Sequence, residues 1–368
     1  MRKDKLNLAV FVAALACFVA IITLFPRDAR TIERENRAFN RLPEISLKNI
    51  FSGGFARDFE PYVSDRVGYR ASFVSASRLL ERARGLSSGG VRVTGGTLIL
   101  GDRLMEIFTR SASAEREYAD ALAGYRAALP GDVRVFSLLA PTRIEFEEEK
   151  YSSVSDSERD AIDGVYASLR GAGVITVDAY SELAAHSGEY VYFRSDHHWT
   201  QLGAYYAYRA FADAAGFAPR ELSEFEKHSA PGFLGYLYNR EPSPGIAADT
   251  IEWYEYPGLV PSQPIFYPPE AGGKVTYGVF LGGDHAEYVI ETGSGGGKTA
   301  VVIKDSYANA FIPWLAPHYA TIVVLDPREF EGSALEAISR YTDVDLIFVD
   351  YVFSTTFTDF IRKINDIK

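Results

Sequence analysis

The chain beyond residue 90 alternates between short apolar runs and longer segments in which apolar residues recur three and four positions apart. The apolar runs are typical of buried strands and predict strands at 96–102, 133–140, 174–179, 190–193, 274–283, 299–306, 321–327 and 345–351. The periodic segments predict helices over 113–129, 157–173 and 200–216, around 308–316 and near 334–341. Nearly continuous apolar strands that alternate with helices indicate an α/β fold with a doubly wound, mostly parallel sheet covered on both faces.

Residues 229–273 depart from this alternation. They are rich in Pro, Gly and Tyr, which predicts a loop-rich insertion. The Tyr and Trp residues between 236 and 260 suit stacking on sugar rings, and they suit equally well a loop that packs its own aromatic residues.

An apolar segment from Leu6 to Phe25 precedes the α/β region. Roughly 20 such residues span a bilayer as a helix. Arg2, Lys3 and Lys5 stand before the segment, so the positive-inside rule places the N-terminus in the cytoplasm. We therefore expect a single-pass protein of the cell membrane whose C-terminal domain is extracytoplasmic.

Two other interpretations of the apolar segment fit less well. A cleaved signal peptide would have a shorter apolar region and a small-x-small site, whereas this segment ends in Leu24-Phe25-Pro26-Arg27. A lipoprotein site at Cys17 would be followed by polar residues, whereas the apolar run continues. Because Cys17 is the only cysteine, no disulfide can form within one chain.

Three parts of the chain follow from these patterns. Residues 1–26 are the cytoplasmic tip and transmembrane anchor, residues 27–90 a juxtamembrane helical segment, and residues 91–368 the α/β domain. The net charge of −11 argues against a nucleic-acid partner, since phosphate neutralisation needs clustered Lys and Arg.

Two of the six histidines lie side by side in RSDHHWTQ, between a predicted strand and a predicted helix. A carboxylate two residues before a histidine can orient the ring and stabilise the imidazolium, which favours a proton relay made by Asp196 and His198. A metal site using His197, His198 and the remote His285 is an alternative, although zinc usually draws three or four ligands and no second cluster is evident. A third interpretation is structural, with one histidine capping the helix.

Two further turns follow predicted strands. Ser306 precedes a helix, where backbone N–H groups and the helix dipole favour developing negative charge, although an ordinary N-cap serine explains the same residue. Gly282 and Gly283 let the backbone approach a ligand and expose N–H donors, although a plain glycine turn is as good an explanation. Because sites form beyond the carboxyl ends of parallel strands, the three turns can converge into a nucleophile, a base with its carboxylate and an oxyanion hole.

These stretches resemble the DHHW family and, more broadly, the SGNH-hydrolase-like proteins related to AlgJ and AlgX of alginate O-acetylation. The stretches that carry the resemblance are SDHHWT, FLGGDHAEYVI and VIKDSYANAF. The stretches ENRAFNRLPE, FEPYVSDRVGYR and APTRIEF also resemble the family. The resemblance covers most of the chain after the apolar segment. It implies an SGNH-hydrolase-like catalytic domain in permuted order, in which the serine block comes late.

The resemblance implies a triad of Ser306 as nucleophile, His198 as base and Asp196 as its carboxylate. The candidate oxyanion or substrate-binding residues are Gly282, Gly283, Asp284, Tyr307 and Arg143, and the alternates for the site are His197 and His285. Lys304 stands where the commoner Gly-Asp-Ser motif has glycine, and Asp284 stands near the expected asparagine donor. A carboxylate cannot donate unless protonated, so backbone donors are expected to form the hole. No metal and no cofactor are expected.

The function that the resemblance implies is a membrane-anchored, extracytoplasmic, serine-dependent O-acetyltransferase or acetylesterase acting on a cell-surface or exported polysaccharide. Its implied partners are that polysaccharide and an MBOAT-type membrane acyltransferase that moves acetyl groups across the bilayer. The alternative is a non-catalytic carbohydrate-binding or assembly protein of a polysaccharide export or modification system, since a fold alone does not establish function.

Overall fold

The computed structural model describes residues 91–368 apart from 95, 148–152, 244 and 296, together with Phe59 and Tyr62. The chain divides into two compact units, 1–92 and 93–368, and the described residues lie almost wholly in the second. The predicted membrane anchor and nearly all of the predicted juxtamembrane segment lie outside the described residues. Within the described part, every helix falls short of the length and apolar character that a bilayer span requires.

The regular elements follow one another in strand–helix alternation. The strands are β1 (Val91–Thr94), β2 (Thr97–Leu100), β3 (Arg103–Glu106), β4 (Arg134–Ala140), β5 (Ile175–Val177), β6 (Glu226–Phe233), β7 (Asp249–Glu255), β8 (Glu287–Glu291), β9 (Thr299–Lys304), β10 (Thr321–Leu325) and β11 (Val344–Tyr351). The α-helices are α1 (Ala112–Ala128), α2 (Glu158–Gly171), α3 (Ala179–Ala185), α4 (Gln201–Ala215), α5 (Tyr236–Arg240), α6 (Ala308–Phe311), α7 (Ala334–Ser339) and α8 (Thr358–Asp366).

Six strands form the central sheet in the order β5-β4-β11-β9-β10-β8. Neighbouring strands run parallel except at one edge, where β8 is antiparallel to β10. The predicted α/β fold is confirmed, and its sheet is mixed. Since β4, β11 and β9 are adjacent and parallel, their carboxyl ends at Ala140, Tyr351 and Lys304 share one edge of the sheet.

Side chains alternate between the two faces of the central sheet, as a sheet covered on both sides requires. In β9, Ala300 and Val302 belong to one hydrophobic core and Val301 and Ile303 to another, and all four are completely buried. Helices α3, α4 and α6 pack in the first core, and α1, α2, α7 and α8 in the second. Burial of apolar surface, worth about 25 cal/mol per Å², holds the sheet between these layers.

Two segments that the sequence predicts as strands are not strands. Residues 190–193 make a single bridge, between Tyr192 and Trp199, and residues 274–283 form an irregular turn that contains one 3₁₀ helix. Phe280 in the second segment is completely buried. Short apolar runs report burial and do not distinguish a buried loop from a hydrogen-bonded strand.

The region 229–273 contains more regular structure than predicted. Strands β6 and β7 form an antiparallel pair whose register shifts between Pro231 and Phe233. Helix α5 lies between these two strands in the chain. Trp253 and Tyr254 are buried. The structure therefore corrects the predicted loop-rich insertion: Pro and Gly mark a bulge and turns, and these two rings pack into the protein.

Candidate active site

Ser306, His198 and Asp196 form one hydrogen-bonded array. Ser306 lies in the turn after β9, at the carboxyl edge of the central sheet. Its Oγ is 2.8 Å from Nε2 of His198, and Nδ1 of His198 is 2.5 Å from Oδ1 of Asp196. Asp196 and His198 are buried, whereas Ser306 is partly accessible. The two halves of the predicted relay, 108 positions apart in the chain, thus meet in the folded protein.

Both carboxylate oxygens of Asp196 are fixed by donors. Besides the imidazole, Oδ1 accepts the backbone N–H of His198 at 2.9 Å, and Oδ2 accepts that of Tyr236 at 2.6 Å. The second contact requires glycine at 235, because a Cβ there would lie 2.2 Å from Oδ2 of Asp196. Gly235 has no other feature in the sequence that marks it as part of the site.

The start of the stretch RSDHHWTQ, residues 194–201, is held by a second carboxylate. Asp249, the first residue of β7, accepts the backbone N–H of Ser195 at 2.9 Å and its Oγ at 2.6 Å. It also accepts the backbone N–H of Arg194 at 3.1 Å and the hydroxyl of Tyr190 at 2.5 Å. These bonds satisfy backbone donors that a strand partner would otherwise satisfy.

The imidazole of His198 lies between two other rings. The centroids of Tyr277 and His197 are each 3.9 Å from that of His198, with interplanar angles of 12° and 34°. Two rings this close to the same face would overlap each other, so they occupy opposite faces. The ring therefore cannot swing away from Ser306 without displacing one of them.

The surroundings keep the imidazole neutral and its carboxylate charged near pH 7. Burial lowers the pKa of His198 to about 4, and the adjacent His197 acts in the same direction, whereas Asp196 opposes it. Burial alone would raise the pKa of Asp196, but the two histidines bring that pKa well below its usual range. A carboxylate can only accept, so Nδ1 of His198 carries the proton and Nε2 is free to take one from Ser306.

Asp305 shapes the turn that presents Ser306. Its Oδ1 accepts the backbone N–H of Tyr307 at 2.9 Å, and its Oδ2 accepts the backbone N–H of Tyr351 at 2.8 Å and the hydroxyl of Ser354 at 2.7 Å. Burial raises the pKa of Asp305 to about 6, although these bonds act in the opposite direction. The predicted helix that follows is a single four-residue turn, α6, continued by a 3₁₀ turn.

Tyr307 has no exposed surface, so the predicted substrate contact by its side chain does not fit its position. Its hydroxyl donates to the backbone carbonyl of His197, and its own carbonyl accepts Nε1–H of Trp199 at 2.8 Å. Tyr307 therefore connects the stretch 194–201 to the turn that carries Ser306.

The turn with Gly282 and Gly283 provides a candidate oxyanion donor. Leu281, Gly282 and Gly283 have consecutive positive φ angles of 58°, 78° and 109°. The N–H of Gly283 donates to the carbonyl of Phe280 at 3.1 Å. Within the described chain, the N–H groups of Gly282 and Ser306 have no acceptor, so both are available to a ligand. The left-handed conformation of Leu281 is strained by about 1–3 kcal/mol, which the surrounding structure must offset.

The two residues that depart from the expected motif are partners of each other. Nζ of Lys304 is buried 2.5 Å from Oδ1 of Asp284 and 3.0 Å from Oδ2 of Asp326. Asp284 also accepts Nδ2–H of Asn309 at 2.9 Å and pairs with Arg328 at 2.8 Å. Burial would raise the pKa of Asp284, but Lys304 and Arg328 bring it far below its usual range. Asp284 is therefore an acceptor, and backbone groups must supply the oxyanion donors.

Two other predicted site residues have partners outside the array. Nε2 of His285 lies 2.7 Å from the carbonyl oxygen of Leu281, and Nε of Arg143 is 3.1 Å from Oε1 of Glu147. Neither contact involves Ser306 or its relay partners, so the structure does not bring these two residues into the array.

Asp196, His197 and His198 also form the one group within the described chain that has metal-ligand character, with ligand atoms within 4.8 Å of one another. However, both oxygens of Asp196 and both ring nitrogens of His198 already have hydrogen-bond partners. The geometry therefore favours a proton relay over a metal site.

The described fold is an α/β fold with a mixed central sheet, and the serine-centred array lies at its carboxyl edge. Residues 83–259 match the family model described as "DHHW protein". No curated protein matches the chain.

Several solved structures are similar to this chain. A DHHW family protein from Eubacterium siraeum is similar with a TM-score of 0.70 and 29% identity, covering 76% of this chain and 97% of its own. PatB1 from Bacillus cereus, solved with a sulfonyl adduct, shares the fold with a TM-score of 0.59 and 17% identity, covering 74% and 99%. The O-acetyltransferase domain of Pseudomonas putida AlgJ aligns over 76% and 99%, with a TM-score of 0.43 and 15% identity.

Replacement of Gly235 by alanine should displace Asp196 and slow the reaction of Ser306 with phenylmethylsulfonyl fluoride by about 100-fold, the effect of a misplacement of roughly 1 Å. Mass spectrometry of the full chain measures the sulfonylation rate. Gly188→Ala is the matched control, because a Cβ at Gly188 meets nothing within 4 Å. Wild-type reactivity in Gly235→Ala would contradict the proposed packing.

The Lys304–Asp284 pair should show energetic coupling in a double-mutant cycle. Lys304→Met leaves Asp284 and the buried Asp326 to share Arg328 and should lower the free energy of unfolding by about 3 kcal/mol. Adding Asp284→Asn should recover at least about 1 kcal/mol of that loss. Chemical denaturation of the four chains measures the cycle, with the exposed Arg362→Met as control. Strict additivity would show that the two residues do not act as a pair.

Proposed function

We propose that this chain is a serine-dependent acyl-transfer enzyme, an O-acetyltransferase or acetylesterase that acts on a cell-surface or exported polysaccharide. The single observation that carries the proposal is the 2.8 Å contact between Ser306 Oγ and a neutral imidazole whose far nitrogen is bonded to a buried carboxylate. This arrangement suits a nucleophile activated by a general base.

In the first half-reaction, Oγ of Ser306 attacks the acyl carbon while Nε2 of His198 takes the hydroxyl proton. Asp196 stabilises the imidazolium that forms, and the N–H groups of Ser306 and Gly282 stabilise the oxyanion. The tetrahedral intermediate then collapses, and His198 returns the proton to the departing oxygen. The acyl group is now esterified to Ser306.

In the second half-reaction, a sugar hydroxyl or water attacks the acyl-serine and gives its proton to His198. The bond between the acyl carbon and Oγ of Ser306 then breaks, and His198 returns the proton to Oγ. Transfer to a sugar and hydrolysis differ only in this acceptor. The sulfonyl adduct of PatB1, a protein of the same fold, motivates a sulfonyl fluoride as a probe of Ser306.

The proposal extends to the surroundings of the enzyme. The apolar segment from Leu6 to Phe25 would anchor the chain in the cell membrane, with the domain outside. An MBOAT-type acyltransferase in the same membrane would then supply acetyl groups from within the cell. The predicted orientation of the segment is what supports this arrangement.

Single substitutions at Ser306, His198 and His197 should show which of these residues the reaction requires. Ser306→Ala and His198→Ala should each lower kcat/KM for p-nitrophenyl acetate by at least about 1000-fold, measured on the full chain in detergent as release of p-nitrophenol. His197→Ala should lose far less, because the carboxylate contact belongs to His198. Ser187→Ala, at an exposed position, is the control. Turnover that survives Ser306→Ala and is abolished by a chelator would favour a metal mechanism instead.

Activity should depend on the neutral form of His198. Its pKa is lowered to about 4, so kcat/KM should rise as the pH increases through that value and stay level toward neutral pH. Because His197 contributes to the lowering, His197→Ala should move the midpoint to higher pH. Initial rates between about pH 3.5 and about pH 8 measure the profile, and circular dichroism confirms folding at each pH. A midpoint that His197→Ala leaves in place would contradict this account.

A further inference from the structure

Two aromatic rings of unit 93–368 are exposed although they lie close to the candidate site. Tyr267 is 39% exposed and Phe357 is 45% exposed, and no other large aromatic side chain described in this unit is as accessible. An exposed aromatic ring forgoes the burial that stabilises rings elsewhere in the core, so paired exposed rings beside a reactive serine point to a ligand.

Tyr267 lies against the oxyanion turn and is held rigidly there. Its ring would be 3.1–3.3 Å from a Cβ at Gly282, so it covers the glycine backbone directly. Its backbone N–H donates to the carbonyl of Val279 at 2.8 Å, and its hydroxyl lies 2.8 Å from that of Tyr288. The ring of His285 stacks on Tyr288 at 4.6 Å, which supports this arrangement from behind.

Phe357 continues a row of rings that begins at the serine turn. Tyr307, the neighbour of Ser306, stacks on Tyr351 with centroids 4.9 Å apart at 14°. Tyr351 in turn meets Phe357 at 6.2 Å and 62°. Tyr351 is also 5.9 Å from the ring of His197.

A series of contacts connects each exposed ring to a different neighbour of His198. Tyr277 covers one face of His198 and belongs to the same segment as Gly282, on which Tyr267 packs. His197 covers the other face, toward Tyr351 and the row that ends at Phe357. Tyr267 and Phe357 are thus linked to the two sides of the His198 ring by separate sets of contacts.

We propose that Tyr267 and Phe357 are sugar-binding platforms that hold a chain of several sugar rings across Ser306. The inference deepens the proposed function and rests on it. A pyranose ring carries C–H bonds on one face, which pack on an aromatic ring, and hydroxyls at its edge, which reach polar groups. Polar groups for such a ligand are present beside the glycine turn, where Asp284 follows Gly283 and pairs with Arg328, and both side chains are about one-third exposed.

Two platforms on either side of one serine make binding depend on chain length. A single sugar can contact only one platform, whereas an oligosaccharide reaches both. The second contact is then made within one complex, which raises affinity without any further association cost.

The test titrates the full chain in detergent with hexasaccharides and their monosaccharides, using β-1,4-linked glucose, N-acetylglucosamine and mannuronate. Saturation-transfer difference NMR measures each Kd on the Ser306→Ala variant, which prevents turnover. A hexasaccharide should bind more tightly than its monosaccharide, and Tyr267→Ala and Phe357→Ala should each weaken it about fivefold to tenfold. Tyr267→Trp and Phe357→Tyr should retain binding, and Val260→Ala, at an 84% exposed position, should leave it unchanged.

Sulfonylation of Ser306 in the chain with its native serine distinguishes the two proposals. Suppose that Ser306 is sulfonylated but no hexasaccharide binds, or that the chain with both Tyr267→Ala and Phe357→Ala binds as tightly as its parent. The proposal of sugar-binding platforms is then wrong, and the proposed acyl chemistry is retained. If Ser306 is also unreactive, the proposed function fails as well.

Discussion

The candidate site depends on carboxylates that accept backbone N–H groups where no strand is present to do so. The segment that carries His198 crosses the sheet edge with a single bridge, so its donors would be unsatisfied without Asp196 and Asp249. Each carboxylate has a second role: Asp196 orients the imidazole, and Asp249 fixes Ser195 through its hydroxyl. The hydrogen bonds that satisfy this irregular backbone therefore also set the geometry of the relay. Loss of either carboxylate would disturb the backbone segment and the relay together.

The strands of the central sheet and the longer helices were predictable because periodicity reports burial directly. β4, β9, β10 and β11 and helices α1, α2 and α4 lie where the apolar pattern places them. The apolar pattern gives wrong predictions where a segment is buried but its backbone is not paired in a sheet. Tyr192 and Phe280 are buried in irregular chain, and their runs look like strands in the sequence. The β6–β7 pair was missed for the opposite reason, since Pro231 and a bulge interrupt a true ladder.

The chemistry-bearing residues were easier to find than their supports. Asp196, His198 and Ser306 carry unusual side chains at short spacing beside apolar runs, and the structure brings them within hydrogen-bond distance. Gly235 and Asp249 contribute just as directly to the geometry, yet a lone glycine and a lone aspartate have no local signature. Their importance arises from contacts across about 40 and 54 positions, which no spacing in the sequence encodes.

The Lys304–Asp284 pair links the history of two positions 20 residues apart. A chain with glycine and asparagine there would be neutral at both, and this chain is charged at both. A change at either position alone unbalances one network of charges: without Lys304, Asp284 and Asp326 share Arg328, and without Asp284, the buried Lys304 retains Asp326. We expect either single change to be less stable than a matched pair. Substitutions at these positions are therefore expected to persist in evolution only as a pair, so that the serine strand and the glycine turn are inherited as a single unit.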